Sequence, residues 1–342
     1  MNWERLKRAG KPILLYGMGN GADRVLAELE RHGIRPAGVF ASDEFVRGQQ
    51  FHGMTVITYA EAKARFGDMI VLVAFGTNRP EVLARIDAID AEQELYAPDF
   101  PVAGEQRFTE DYAAAHRQEL DAVFDRLADE PSKRVFENTI RYKLTGDISY
   151  LKACESDPEE AYRNILRLEP GEVYTDLGAY RGDTIAEFLR YCPDYAGIYA
   201  FEPDGYTFRR LAENTKTLQN CVLLNKAAGE GPGTILFSQR GGRNSSADAG
   251  GRPVETESVD HLMQGGRVSF LNIDVEGQER AALAGAAETI RKYKPKLLVA
   301  AYHRTEDLFA IPAQVLALRP DYRVYLRHFP QIPAWDTNFY FV

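Results

Sequence analysis

VYTDLGAYRGDT, residues 173–184, begins as an apolar run suited to a strand, turns through a DxGxxxG pattern and passes straight into a helical pattern. Gly178 and Gly182 permit a tight turn and close ligand approach, while the helix start offers free N–H groups. Asp176, Ala179, Tyr180, Asp183 and Thr184 complete this candidate binding loop. One strand later, at the tip of GIYAFEP (197–203), stand Glu202 and Pro203, where an acid can bind both hydroxyls of a ribose. A glycine loop followed by such an acid points to an adenosine-type ligand. The loop lacks the GxGxxG cradle that a pyrophosphate needs. The Asp176 carboxylate would repel a dinucleotide's phosphates but tolerate the ammonium of a methionine tail. S-adenosylmethionine therefore fits this loop better than NAD.

Working outward, the runs VYTDLG, GIYAFEP, VLLNKAA, VSFLNIDV, KLLVAAYH, YRVYLRHF and NFYFV predict seven strands. The helical pattern GQERAALAGAAETIRKYK (277–294) is stopped by Pro295. The last two strands have no helix between them, which predicts that the final one runs antiparallel to its neighbour. Toward the N-terminus, ILLY, GVF, TVI and MIVLVAF alternate with helical patterns, as expected of a smaller parallel sheet. Between them, Tyr112, His116, Leu120, Phe124 and Leu127 fall at helical spacing, and PSKRVFENTIRYKL begins with a Pro suited to a helix start. The expected fold class is α/β: a Rossmann-like domain over 1–98, a helical connector over 99–160 and a second Rossmann-like domain with a terminal antiparallel strand over 161–342. The connector reads as a packing bridge or as a substrate-contacting element.

The 342 residues are 45% apolar and 27% charged, a globular composition that excludes disorder and collagen-like repeats. Lys and Arg number 41 against 50 Asp and Glu. A net charge of −9 argues against nucleic acid and anionic membranes as partners. Cys154, Cys192 and Cys221 are too few and too far apart for a disulfide framework or a CxxC metal site, which suits a reducing cytoplasm. No run resembles a signal peptide or a membrane span, so a soluble cytoplasmic protein is expected.

Taken in order, VYTDLGAYRGDT, FEPD, NKAAG, SVDHL, NIDVEGQE, AAYHRTEDLFAIP, YRVYLRHF and DTNFYFV resemble an FkbM-type S-adenosylmethionine-dependent methyltransferase over roughly residues 161–342. The resemblance implies a class I methyltransferase fold, with the glycine loop and the FEP acid binding the cofactor and Lys226 and Ala227 near its adenine. Asp274, at the C-terminal end of the NID strand, is expected to face the transferred methyl group, because open α/β sheets place chemistry there. Methyl transfer to a hydroxyl is an in-line displacement that needs positioning and removal of one proton. His303, directly after the strand KLLVAAY, is the candidate base, since imidazole titrates near neutral pH. It could equally hold a loop or a neighbouring carboxylate. Glu276, Tyr302, Arg327 and His328 are candidate substrate contacts, although Glu276 and Glu279 could simply favour a helix N-terminus and Arg327 could form a surface ion pair. Asp274, Glu276 and His303 could also hold a divalent ion, but they form no compact ligand motif, and no metal is expected. The family often carries Lys two residues before the motif's Asp, where this chain has Asn272.

YGMGNGADRVLAEL (16–29) holds Gly17, Gly19 and Gly21 after a strand and before a helix, with Asp43 following the second strand. This is a degenerate GxGxxG, its last glycine one residue early. The region 11–90 resembles the N-terminal nucleotide-sugar-binding domains of bacterial sugar acyltransferases, which implies a sugar-nucleotide contact at Gly17, Gly19 and Asp43. A docking or dimerisation domain without a ligand is the alternative. The expected function is O-methylation of a sugar, nucleotide-linked sugar, glycan or polyketide-like hydroxyl, with a small-molecule or carbohydrate acceptor as partner. A non-catalytic binding or scaffold protein, or a dehydrogenase using the N-terminal loop, would be the competing readings. The Gly- and Ser-rich QRGGRNSSADAGGRP (239–253) is expected to be a loop or lid.

Overall fold

The computed structural model describes residues 1–238, 246, 247 and 251–342. The segment expected as a lid falls largely outside the described residues.

Two main α/β sheets form the scaffold. The first comprises β1 (Ile13–Tyr16), β2 (Gly38–Phe40), β3 (Gln50–Phe51), β4 (Met54–Ile57), β5 (Ile70–Val73) and β6 (Glu94–Tyr96), in the order β3-β4-β2-β1-β5-β6. All its pairings are parallel except the short β3–β4 hairpin. β1 and β5 are buried along their whole length, which is why they read as unbroken apolar runs. β3 and β6 were not legible as strands, being only two and three residues long with polar members.

The second sheet contains β7 (Val173–Leu177), β8 (Gly197–Phe201) and β9 (Cys221–Leu224). A small four-stranded sheet follows, made of β10 (Ala227–Ala228), β11 (Gly233–Ser238), β12 (Ser246–Ala247) and β13 (Arg252–Glu257). The main sheet then continues with β14 (Phe270–Ile273), β15 (Lys296–Ala300), β16 (Val324–His328) and β17 (Thr337–Phe341). Its order is β16-β17-β15-β14-β7-β8-β9, with β17 inserted antiparallel between β15 and β16. The seven strands and the antiparallel terminal strand are those read from the sequence; the small sheet on β10–β13 was not.

The helical segment 277–294 is two helices, Glu279–Ala284 and Ala287–Tyr293, rather than one. Gly285 marks the break: a Cβ there would lie 2.0 Å from the Gly229 carbonyl oxygen, so the small sheet packs directly on this backbone.

The connector ties the two sheets together. Its long helix, Glu130–Thr145, places Val135 and Phe136 in the core beneath the second sheet and Tyr142 in the core beneath the first. Tyr142 donates a hydrogen bond to the Ala97 carbonyl, and Lys143 forms a buried ion pair with Asp99. The chain's end closes the same junction, where Thr77 and Ile332 exchange backbone hydrogen bonds of 2.7 and 3.0 Å. Among the described residues no helix is long and apolar enough to cross a membrane. All three cysteines are free thiols.

Candidate active site

In each sheet the chain reverses winding direction at one strand, leaving a crevice at the strands' carboxyl ends. In the first sheet it opens between the loops after β1 and β5; in the second, between those after β7 and β14. The two crevices face each other across one cleft of about 1050 Å³. Met18, Asn20, Gly21 and Ala74–Arg79 line it from the first sheet; Gly178, Tyr180, Glu202, Asp274, Glu276, Tyr302 and His303 line it from the second. Gln331, Trp335 and Asp336, in the loop before β17, complete the wall.

The floor depends on two backbones meeting. Gly178 has φ +94°, and a Cβ on it would fall 1.9 Å from the Asp274 carbonyl oxygen. The loops after β7 and β14 thus touch through a glycine that no other residue can replace without strain. Gly182, at φ +89°, caps the helix Asp183–Tyr191 and packs under Leu211. Asp183 and Thr184 reach the cleft, whereas Ala179 is buried in the core and Gly182 lies behind the wall.

Asp176 departs from its expected role. It is 0% exposed and does not line the cleft. One carboxylate oxygen accepts from Thr184 Oγ1, the other from Asn272 Nδ2 at 2.9 Å. The residue is a strut beneath the loop rather than a contact for an ammonium. Asn272, where the family often has Lys, satisfies it without a counter-charge. Burial accordingly raises the Asp176 pKa to about 6 despite those two bonds.

Glu202 stands where the sequence placed it, at the tip of β8 on the cleft wall, 6% exposed. Its Oε1 accepts from the Asp204 amide at 2.8 Å. Burial pushes its pKa up to about 7, with Asp204 adding repulsion. Pro203 and Ala227 also line the cleft. Lys226 does not; its ammonium turns to Glu257 and Glu255 on β13, 3.4 and 3.6 Å away.

Asp274 and His303 meet, with two further carboxylates. His303 Nε2 lies 3.5 Å from Asp274 Oδ1 and 3.4 Å from Glu276 Oε2, while Nδ1 lies 2.9 Å from Glu279 Oε1. Tyr302 donates to the Asp274 carboxylate at 3.1 Å. The Asp274 side chain keeps 41% exposure to the cleft. Enclosure by the protein still raises its pKa to about 7, with Glu276 and Glu279 adding to the rise and His303 opposing it. For His303, burial favours the neutral ring, but Glu279, Glu276 and Asp274 outweigh it and hold the pKa well above the usual value. These carboxylates favour the imidazolium form, which works against the ring as a base and makes the Asp274 carboxylate the better candidate acceptor. Glu276 sits at φ +53°, a strained backbone position on the site's rim.

Arg327 and His328 lie outside the cleft. Arg327 is 2% exposed and grips Glu160 and Asp129 bidentately, with Ser132 Oγ 2.8 Å away. It is neither a substrate contact nor a surface ion pair but a buried tie between β16 and the connector. His328 is fully buried with Nδ1 3.0 Å from Thr337 Oγ1, and burial lowers its pKa to about 4. Asp43 also misses the cleft, lying in the short 3-10 turn Asp43–Phe45, and Gly17 and Gly19 shape their loop while Met18, Asn20 and Gly21 line the space. The sequence reading missed Thr77–Arg79 and Trp335, whose loops carry no motif and join the site only through folding, and Glu187, one turn into the helix Asp183–Tyr191 behind the glycine turn.

Residues 176–329 match the model of the methyltransferase FkbM domain. Over 142 residues it is 29% identical to the hexuronic acid methyltransferase AglP of Haloferax volcanii, a match covering 38% of this chain and 58% of that protein. The fold is shared along nearly the whole length with a crystal structure of a methyltransferase FkbM from Methylobacillus flagellatus KT, at TM-score 0.72 and 20% identity, covering 99% of this chain and 92% of that one.

Proposed function

We propose that this protein is a methyltransferase that moves a methyl group from S-adenosylmethionine to a hydroxyl oxygen of a carbohydrate held between its two sheets. The observation carrying this reading is the cleft's charge. Among the described residues, Asp183, Glu187, Glu202, Asp204, Asp274, Glu276 and Asp336 line it, against Arg79 and His303. Such a wall suits a cationic nucleoside and disfavours a phosphate-rich coenzyme. The donor set fits: a buried acid at the tip of β8 can accept from ribose hydroxyls, beside a cleft wall formed by Gly178 and Tyr180.

Bound S-adenosylmethionine would supply a methyl carbon on a sulfonium, which the hydroxyl oxygen attacks as the carbon–sulfur bond breaks, leaving S-adenosylhomocysteine. The Asp274 carboxylate takes the hydroxyl proton, and the Tyr302 hydroxyl fixes its orientation. Thr77–Arg79 and Trp335 form the opposite wall, against which the acceptor rests. The hexuronic acid specificity named for the Haloferax relative supports a sugar acceptor. The test is calorimetric titration with S-adenosylhomocysteine, followed by mass spectrometry of methyl uptake by a panel of uronic acids, sugars and sugar nucleotides. Absence of nucleoside binding at millimolar concentration would end this reading.

A further inference from the structure

Three carboxylates, those of Asp274, Glu276 and Glu279, converge on the single imidazole of His303. Asp274, Glu279 and His303 each offer one ligand atom within 4.8 Å of the others. A separate observation shows what this group lacks. Glu279 is 1% exposed; its Oε1 accepts from the Val275 and Gly277 amides, but its Oε2 has no hydrogen-bond partner among the described residues. His303 is equally buried, and its Nδ1 is near Glu279 Oε1 without being aligned to it. At 3.4 and 3.5 Å, its Nε2 contacts are longer than charge-assisted hydrogen bonds. The Asp274–Nε2 distance matches the spacing between neighbouring ligands that share one metal ion at about 2.1 Å, and Glu279, whose Oε1 faces the other ring nitrogen, offers a ligand atom within 4.8 Å of both.

We infer that Asp274, Glu279 and His303 bind one divalent cation at the inner edge of the cleft, with Glu276 at its mouth. An imidazole among carboxylates suits a borderline or hard ion such as Mn²⁺. The inference deepens the methyl-transfer reading and rests on it for its consequence. A cation here displaces the proton from one His303 nitrogen, binds the acceptor hydroxyl and lowers its pKa; because Asp274 is then a ligand, the hydroxyl proton passes to solvent instead of to its carboxylate, and the oxygen displaces the methyl carbon from sulfur.

The experiment is a Mn²⁺ titration of chelator-treated full-length protein, followed by electron paramagnetic resonance. The expected result is one tightly held ion per chain, with nitrogen modulation from a coordinated imidazole. His303→Gln should abolish that modulation and weaken binding at least tenfold. Asp274→Asn, at a partly exposed position, should weaken binding similarly, and keeps the test open if the His303 variant does not fold. No bound Mn²⁺ at 1 mM, or binding unchanged in a folded variant, would overturn the inference. S-adenosylhomocysteine is titrated into the same samples. Nucleoside binding without Mn²⁺ binding defeats the cation site alone, while the reverse defeats the methyl-transfer reading and leaves the cation site standing.

Discussion

Gly178→Ala should disable the cleft from beneath without removing any functional group. The added Cβ would start 1.9 Å from the Asp274 carbonyl oxygen, so the loops after β7 and β14 must part by roughly 1 Å to reach a tolerable contact. Two costs follow. An L-residue in the left-handed region loses about 1–2 kcal/mol. The separation also strains the 2.9 Å bond from the Asp274 amide to the Leu177 carbonyl, worth about 1 kcal/mol. The folded state should therefore lose roughly 2–3 kcal/mol, measurable as a lowered midpoint in urea at unchanged slope. The functional loss should be larger, because a displacement of about 1 Å at a reacting centre costs about a hundredfold in rate. The assays are urea unfolding, calorimetry with S-adenosylhomocysteine and turnover once an acceptor is in hand. If the variant keeps the parent's midpoint, nucleoside affinity and turnover, the two loops do not bear on each other as described.

Arg327→Met should unfold at lower denaturant by about 3 kcal/mol, since it leaves the half-buried Asp129 and Glu160 without their partner; an unchanged midpoint with a raised KM would restore a substrate role. Asn272→Leu leaves one oxygen of the buried Asp176 without a donor and should cost about 1–3 kcal/mol, read by thermal melting, whereas a gain in stability would show that the strut is dispensable. Glu202 has a folded pKa raised to about 7, so the stability it contributes is complete below the unfolded value near 4.5 and is lost as pH rises through 7. Glu202→Gln should flatten that decline by up to about 3 kcal/mol, and should also remove the weakening of S-adenosylhomocysteine binding on acidification from pH 8 to 6, which protonation of the Glu202 carboxyl causes. An unaltered pH profile in both assays would place the titrating groups elsewhere.

The strands and the glycine turn were legible because they follow local rules. Buried parallel strands such as β7 and β14 read as apolar runs, and Gly178 and Gly182 announce left-handed backbone wherever the chain lies in space. Glu202 and Asp274 were readable for a related reason: each follows a strand, and strand ends of a parallel sheet share one edge. Side-chain direction was not readable in the same way. Asp176, Lys226, Arg327 and His328 all occupy strands or strand ends, yet their partners Asn272, Glu257, Asp129 and Thr337 come from other parts of the chain.

By itself, then, the sequence determined the two sheets, the antiparallel final strand and the pair of acids at the edge of the second sheet, because periodicity and turn chemistry act over a few residues. Tertiary structure alone decided that the first sheet's loops close the second sheet's cleft, that Arg327 is a buried tie and that His303 stands among carboxylates. Those outcomes depend on contacts between segments far apart in the chain, whose charges and burial no local pattern encodes.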